Sequence, residues 1–185
     1  MARPKAESDG SNKRKSEVVT VRLDPRLKYL AEISARKQRR TLSGYIEWAV
    51  EQSLEQVMLR DSGRGLEPLT VSDAEKTYSL WDVDEAERLV RLSLAFPELL
   101  TFEEQLIWKL LKENGKIWLW YRDGMGGVYF KVAIESIIWD RVRQYWDVFK
   151  KVASGELTKD HLPAWERPDP ANKSLPRDPD EEIPF

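Results

Sequence analysis

The stretch "EVVTVRLDP", from Glu17 to Pro25, alternates apolar and polar side chains and then ends at a proline. Such alternation is typical of a β-strand with two different faces. One face carries Val19, Val21 and Leu23, and the other carries Val18, Thr20 and Arg22. Asp24 suits a helix N-cap and Pro25 suits the first helical position, so a helix should follow directly.

Two helices are predicted after this strand, and neither can pair with it. The first has a modest apolar stripe and ends at the basic residues "RKQRR" of residues 36–40, whereas the second begins at Thr41. The second has strong helical spacing in Leu42, Tyr45, Ile46, Ala49, Val50, Leu54 and Val57. Because an isolated strand leaves its backbone groups unpaired, we expect the same strand of a second copy as its antiparallel neighbour. The shared core of that dimer would contain Val19, Val21, Leu23, Ile46 and Val50.

This order of strand, Asp-Pro, helix, short turn, Thr-Leu-Ser and apolar helix resembles the ribbon-helix-helix DNA-binding proteins typified by the Arc and methionine repressors. The resemblance covers about residues 17–58. It implies that a two-stranded ribbon enters the major groove of DNA, with Val18, Thr20 and Arg22 touching base edges. It also implies that Thr41, Leu42 and Ser43, at the start of the second helix, anchor a DNA phosphate.

One position departs from the family pattern. Many members have glycine in the turn between the helices, where a left-handed backbone is needed, and this chain places Arg39 there. A left-handed residue other than glycine costs about 1 kcal/mol. The turn is therefore expected to differ locally from that of other members, while the ribbon pattern, the Asp-Pro cap and the second helix remain in register.

The N-terminal part of the chain is basic and the remainder is acidic. Residues 1–60 contain 13 Lys and Arg against 8 Asp and Glu, while the remaining residues contain 17 against 24. Residues 1–16 lack apolar periodicity and are expected to form a disordered basic arm. We expect Lys13, Arg14 and Lys15 of this arm to follow DNA phosphates without reading sequence.

The rest of the chain predicts a second domain of unknown role. Residues 17–60 form the first domain, residues 61–70 a linker rich in Gly and Pro, and residues 71–157 a helical domain with a β-hairpin. Within it we expect helices at residues 82–96, 101–115 and 134–155, with aromatic strands at 116–122 and 128–133. Thr101 and Glu104 match a capping box. Residues 158–185 are rich in proline and acid and are expected to lack a fixed fold. The expected fold class is α+β, mostly α.

Several classes of protein are disfavoured by composition. No cysteine occurs, which excludes disulfides and thiolate metal sites, and no segment has the length and apolarity of a membrane helix. The acidic residues at predicted helix starts fit capping better than catalysis, and His161, the sole histidine, has no evident metal or base partner. We expect no enzymatic activity, no cofactor, no metal site and no membrane association.

The predicted function is a homodimeric, sequence-specific regulator of transcription, a bacterial or phage repressor in the cytoplasm that associates with the nucleoid. Double-stranded DNA and a second copy are its expected partners, and the resemblance to the ribbon-helix-helix family implies tandem dimers on repeated half-sites. Two alternatives stay open. An antitoxin would use its C-terminal half to cover a protein partner. A plasmid partition or DNA-transfer accessory protein would bind repeats away from a promoter.

Overall fold

The computed structural model describes residues 18–61, 67–123 and 125–170. Across these residues the fold is α+β and mostly helical, with seven α-helices and two small antiparallel sheets. The coarse fold class predicted from sequence is therefore confirmed. The chain divides into two compact units, Met1–Ser53 and Leu54–Phe185.

In the first unit, residues 18–24 have no helix or strand, and helices α1 (Pro25–Lys37) and α2 (Leu42–Leu54) follow them. Asp24 Oδ1 accepts hydrogen bonds from the backbone N–H groups of Arg26 and Leu27, each at 3.0 Å. Pro25 occupies the first helical turn, where its missing N–H has no partner to lose. The predicted start of the first helix is confirmed.

Helix α1 ends in a left-handed turn at Arg39, whose φ is 55°. The N–H of Arg40 donates to the carbonyl of Ala35 at 2.9 Å, and the N–H of Arg39 donates to that of Arg36 at 3.1 Å. This pair of bonds is the Schellman ending of a helix, in which glycine usually takes the left-handed position. The prediction that Arg39 stands at that position is confirmed.

The second unit begins with a short ladder that the sequence did not predict. Strands β1 (Met58–Arg60) and β2 (Leu69–Thr70) pair antiparallel across the expected linker, of which residues 62–66 lie outside the described part. Helix α3 (Val71–Tyr78) follows directly, and Thr70 Oγ1 caps it by accepting from the Asp73 N–H at 3.1 Å. Strands of two or three residues are too short to show alternation in a sequence.

Helices α4 (Glu85–Ala95) and α5 (Phe102–Glu113) lie where periodicity predicts them. The capping box of Thr101 and Glu104 is present. These helices pack around Trp118, which is fully buried and donates its indole N–H to the Leu111 carbonyl at 2.9 Å. The main core of the unit comprises Ala86, Leu89, Val90, Leu100, Ile107, Trp108, Leu110, Leu111, Ile117, Trp118, Ile137, Val142, Trp146 and Phe149.

The predicted aromatic hairpin is confirmed as strands β3 (Trp120–Arg122) and β4 (Val128–Phe130), paired in register. The predicted helix over residues 134–155 is wrong in its first part. Residues 136–138 instead pair with residues 117–119, and the Ile138 N–H donates to the Ile117 carbonyl at 2.7 Å. The helical chain therefore starts later, as α6 (Trp139–Gln144) and α7 (Trp146–Ala153).

The packed region extends past residue 157, which is the predicted end of the second domain. Leu162 and Trp165 pack against the main core, and the Trp165 ring meets the Tyr145 ring edge-on at 5.4 Å between centroids. Arg141 Nη1 donates to the Glu166 carbonyl at 3.0 Å. Proline suppresses regular structure here, but a large aromatic side chain still gains by burial. Residues 171–185 of the expected tail lie outside the described residues.

Candidate nucleic-acid interface

Residues 18–23 form neither a helix nor a strand in the single chain. In the part of the chain that the structure describes, none of their backbone groups forms a hydrogen bond with another backbone group. Val18, Thr20 and Arg22, the side chains predicted to face DNA, are all exposed. The geometry thus leaves both the backbone and the side chains of this segment accessible.

The residues predicted for a dimer core are also largely accessible in one chain. Val19 is 79% exposed, Val21 is 58% exposed and Val50 is 54% exposed, while Leu23 and Ile46 are half-buried. Helix α2 has no buried residue, and in the first unit only Ala35 is buried among the described residues. A single chain therefore does not cover the apolar faces of this unit.

The start of helix α2 presents free backbone donors. Thr41 Oγ1 accepts from the Gly44 N–H at 3.1 Å, and the Thr41 carbonyl accepts from Tyr45. The N–H groups of Leu42 and Ser43 have no acceptor within the described residues. Thr41 and Ser43 are exposed and Leu42 is half-buried. Unpaired amides at a helix N-terminus suit an anion such as phosphate.

A basic side chain close to this helix start was not identified from sequence. The guanidinium of Arg40 lies over the Trp48 ring, 5.4 Å from its centroid, and the Trp48 ring is 5.6 Å from that of Tyr45. Such a contact between a cation and an aromatic ring is attractive. The run of basic residues was visible in the sequence, but its contact with Trp48 depends on the turn geometry. Lys13, Arg14 and Lys15 of the predicted arm lie outside the described residues.

Several acidic residues of the second unit are engaged in capping and ion pairing. Asp84 Oδ1 accepts from the Ala86 N–H at 2.9 Å, and Asp84 Oδ2 accepts from Arg143 Nε at 2.5 Å. Partial burial would by itself raise the pKa of Asp84, but the hydrogen bonds from Arg143 and Ala86 lower it on balance. A carboxyl held in its ionised form is unsuited to act as a general acid.

A groove of about 760 Å³ lies among helices α4, α5 and α7 of the second unit. Its floor includes Leu89 and Ile107, and the Lys150 ammonium meets the Glu85 carboxylate at 3.1 Å on its wall. Three basic and four acidic residues surround it, so the groove favours neither sign of ligand charge. Among residues 18–61, 67–123 and 125–170, no group of His, Cys, Asp and Glu side chains is arranged to hold a metal ion.

Comparison of the chain with protein-family models, curated proteins and solved structures finds no match. None of the helices described is long and apolar enough to cross a lipid bilayer.

Proposed function

We propose that this protein is a sequence-specific DNA-binding regulator of transcription that works as a ribbon-helix-helix homodimer. In this proposal, residues 18–23 of two copies pair antiparallel and enter the major groove. The observation that carries the proposal is that the backbone groups of residues 18–23 have no backbone partner, although these residues directly precede the helix that Asp24 caps. Unpaired backbone groups of this kind are available to pair as a strand with another chain.

A second copy is the partner that best explains the first unit. Among its described residues only Ala35 is buried, so a single chain covers little of the apolar surface of this unit. A unit with so small a core needs disulfides, a metal or association with another chain. The sequence has no cysteine, and the described residues hold no metal-binding group. Association of two copies would cover Val19, Val21 and Val50 and complete the ladder in one step.

The exposed side chains of the segment have the chemistry of base recognition. An arginine such as Arg22 can bond the O6 and N7 atoms of guanine together, and Thr20 can bond a base edge or touch a thymine methyl group. Val18 offers apolar contact alone. Phosphate bound by the free amides of Leu42 and Ser43 would fix the register of the ribbon without contributing sequence information.

The regulatory role follows from occupancy. A dimer bound in the major groove over a promoter excludes polymerase. We therefore propose that the protein represses transcription and associates with the nucleoid. The acidic second unit would remain outside the DNA contact, because its excess of Asp and Glu opposes phosphate.

The experiment that tests this function is selection of binding sites from a random duplex pool with the full chain. We expect one enriched sequence with twofold symmetry. In the Arg22→Ala variant, discrimination between that site and a scrambled duplex should fall by about 1–3 kcal/mol.

Arg122→Ala is the matched control, because Arg122 is an exposed arginine on strand β3 of the second unit. It should leave the site preference unchanged. If no sequence is enriched, or if Arg22→Ala and Arg122→Ala behave alike, the proposed ribbon readout is wrong.

A further inference from the structure

We infer that the turn between α1 and α2 is a further contact surface for DNA phosphates, with Arg39 as its main residue. This basic turn comprises Lys37, Arg39 and Arg40. The inference rests on the proposed DNA-binding function and assigns phosphate contact to residues outside the ribbon, the arm and the start of α2.

The backbone at Arg39 gives no reason for an arginine. A φ of 55° brings the Cβ of any residue except glycine close to the backbone, so glycine would hold this turn with less strain. Ser79, with a φ of 48°, is the other residue of this kind in the described part of the chain. What arginine contributes at this position therefore lies in its side chain.

The charges of the basic turn are not compensated locally. Arg36 and Lys28 both lie close to Glu32, at 3.6 Å and 3.8 Å. Within the described ranges, no acidic side chain lies within 4 Å of the charged groups of Lys37, Arg39 and Arg40, and all three residues are exposed. An uncompensated cluster of cations in one turn attracts a polyanion.

The turn is also fixed in relation to helix α2. The stack of Arg40 on Trp48 ties the residue before Thr41 to the helix body. The two bonds that close α1 at Ala35 and Arg36 fix the other side of the turn. A phosphate chain that meets the free amides at the start of α2 would therefore pass beside the guanidinium of Arg40, which Trp48 holds in place, and close to the turn that carries Arg39.

A purely structural role for Arg39 makes the opposite prediction for stability. Cations in the last turn of a helix stabilise its dipole, and Arg36 and Lys37 occupy that place in α1. If Arg39 served the same purpose, replacing it would lower stability. If it serves DNA, Arg39→Gly should stabilise the fold while weakening binding.

The test uses the full chain with the variants Arg39→Gly, Arg39→Lys and Ser79→Gly. Thermal midpoints are measured at one protein concentration, and affinities are measured between about 50 and 300 mM KCl for a selected duplex and a scrambled one. Arg39→Gly should raise the midpoint by about 2–4 °C, because relief of the left-handed backbone strain outweighs the extra freedom that glycine gives the unfolded chain. Its affinity should fall roughly tenfold or more for both duplexes, and the plot of log affinity against log salt should become shallower by about 1.8, because each subunit loses one phosphate.

The two other variants separate charge from strain. Arg39→Lys should keep the salt dependence of the unaltered protein, since it retains the charge in the same backbone. Ser79→Gly should raise the midpoint similarly and leave affinity and salt dependence unchanged, because it relieves the same strain in the second unit.

The outcomes distinguish this inference from the proposed function. If the unaltered protein binds neither duplex, the proposed function fails and takes the inference with it. If the protein binds DNA but Arg39→Gly keeps the same affinity and salt dependence, the inference is overturned and the function stands. A lower midpoint for Arg39→Gly would also overturn it, because Arg39 would then be a structural residue.

Discussion

The two units of the chain differ in how far their apolar side chains are buried within a single chain. The second unit buries a continuous core, in which Trp118, Phe149, Leu111 and Val90 are almost completely inaccessible. In the first unit only Ala35 is buried among the residues that the structure describes, although its second helix is rich in apolar residues. The second unit buries a large apolar core within a single chain, whereas the first unit does not.

This difference predicts two kinds of stability. Burial within one chain stabilises the second unit by an amount independent of protein concentration. In the proposed dimer, burial between copies would stabilise the first unit by mass action, so its unfolding midpoint should rise as the protein is concentrated. The following changes test that contrast, beginning with the largest expected effect.

The largest effect should come from Trp118→Ala in the second unit. This change removes a fully buried indole and its hydrogen bond to the Leu111 carbonyl. Loss of a buried aromatic side chain costs about 3–5 kcal/mol of unfolding free energy. Urea unfolding followed by circular dichroism should show this loss in the transition that does not depend on protein concentration.

Trp81→Ala is the control, because Trp81 is a tryptophan of the same unit that is 66% exposed. Its unfolding free energy should stay within about 0.5 kcal/mol of the original. Equal losses for the two variants would show that the second unit has no well-packed core around Trp118.

The next effect concerns self-association through the first unit. Val21→Lys places a charge where the proposed dimer buries an apolar side chain, and an unpaired buried charge is strongly unfavourable. We expect the dimer dissociation constant to rise at least a hundredfold, or about 2.7 kcal/mol. Sedimentation velocity over a range of protein concentrations measures the change.

Val83→Lys provides the comparison in the second unit, where Val83 is 82% exposed. It should alter neither self-association nor stability. If Val21→Lys also leaves the dimer dissociation constant unchanged, the exposed valines of residues 18–23 are ordinary surface residues. Association of two copies would then not explain why the first unit buries so little apolar surface.

The parts of this fold that could be predicted from sequence are those fixed by neighbouring residues. Asp24 and Thr101 bond backbone groups within three residues, so their roles can be predicted from spacing alone. The place of Arg39 in the turn was predicted from the resemblance to the ribbon-helix-helix pattern, and the bond of its N–H to Arg36 is equally local. The course of residues 134–138 could not be predicted in that way. The Ile138 N–H bonds to Ile117, and this distant pairing overrides a helical pattern.

The same distinction holds for the candidate site. Alternation predicts two faces for residues 18–22, because a strand has a period of two. This stays a prediction, since all five residues are exposed in a single chain. The stack of Arg40 on Trp48 was missed, since it arises only when the left-handed turn at Arg39 folds the chain back. The basic run of residues 36–40 predicts a local positive charge. The position of that charge relative to helix α2 depends on the left-handed turn at Arg39.

The smallest effect tests whether the electrostatics of the second unit are also contained within one chain. Burial would raise the pKa of Asp84, but the hydrogen bonds from Arg143 and the Ala86 N–H lower it overall. A carboxyl with a lowered pKa in the folded state stabilises the fold above its unfolded pKa, and this contribution is lost as the pH falls through the folded value. The unfolding free energy of this unit should therefore decline below about pH 4.

Arg143→Met should reduce that decline by less than about 1 kcal/mol, because Arg143 is 46% exposed and the pair is screened by water. Arg122→Met, which alters an exposed arginine without a described ion pair, should keep the original pH profile. Unfolding measured from pH 2.5 to 7 at two protein concentrations decides the matter, since superimposable profiles are required if Asp84 and Arg143 act within one chain. A pH profile that shifts with protein concentration would instead show that the contribution of this ion pair depends on association between copies. The stability of the second unit would then depend on association, as is proposed for the first unit.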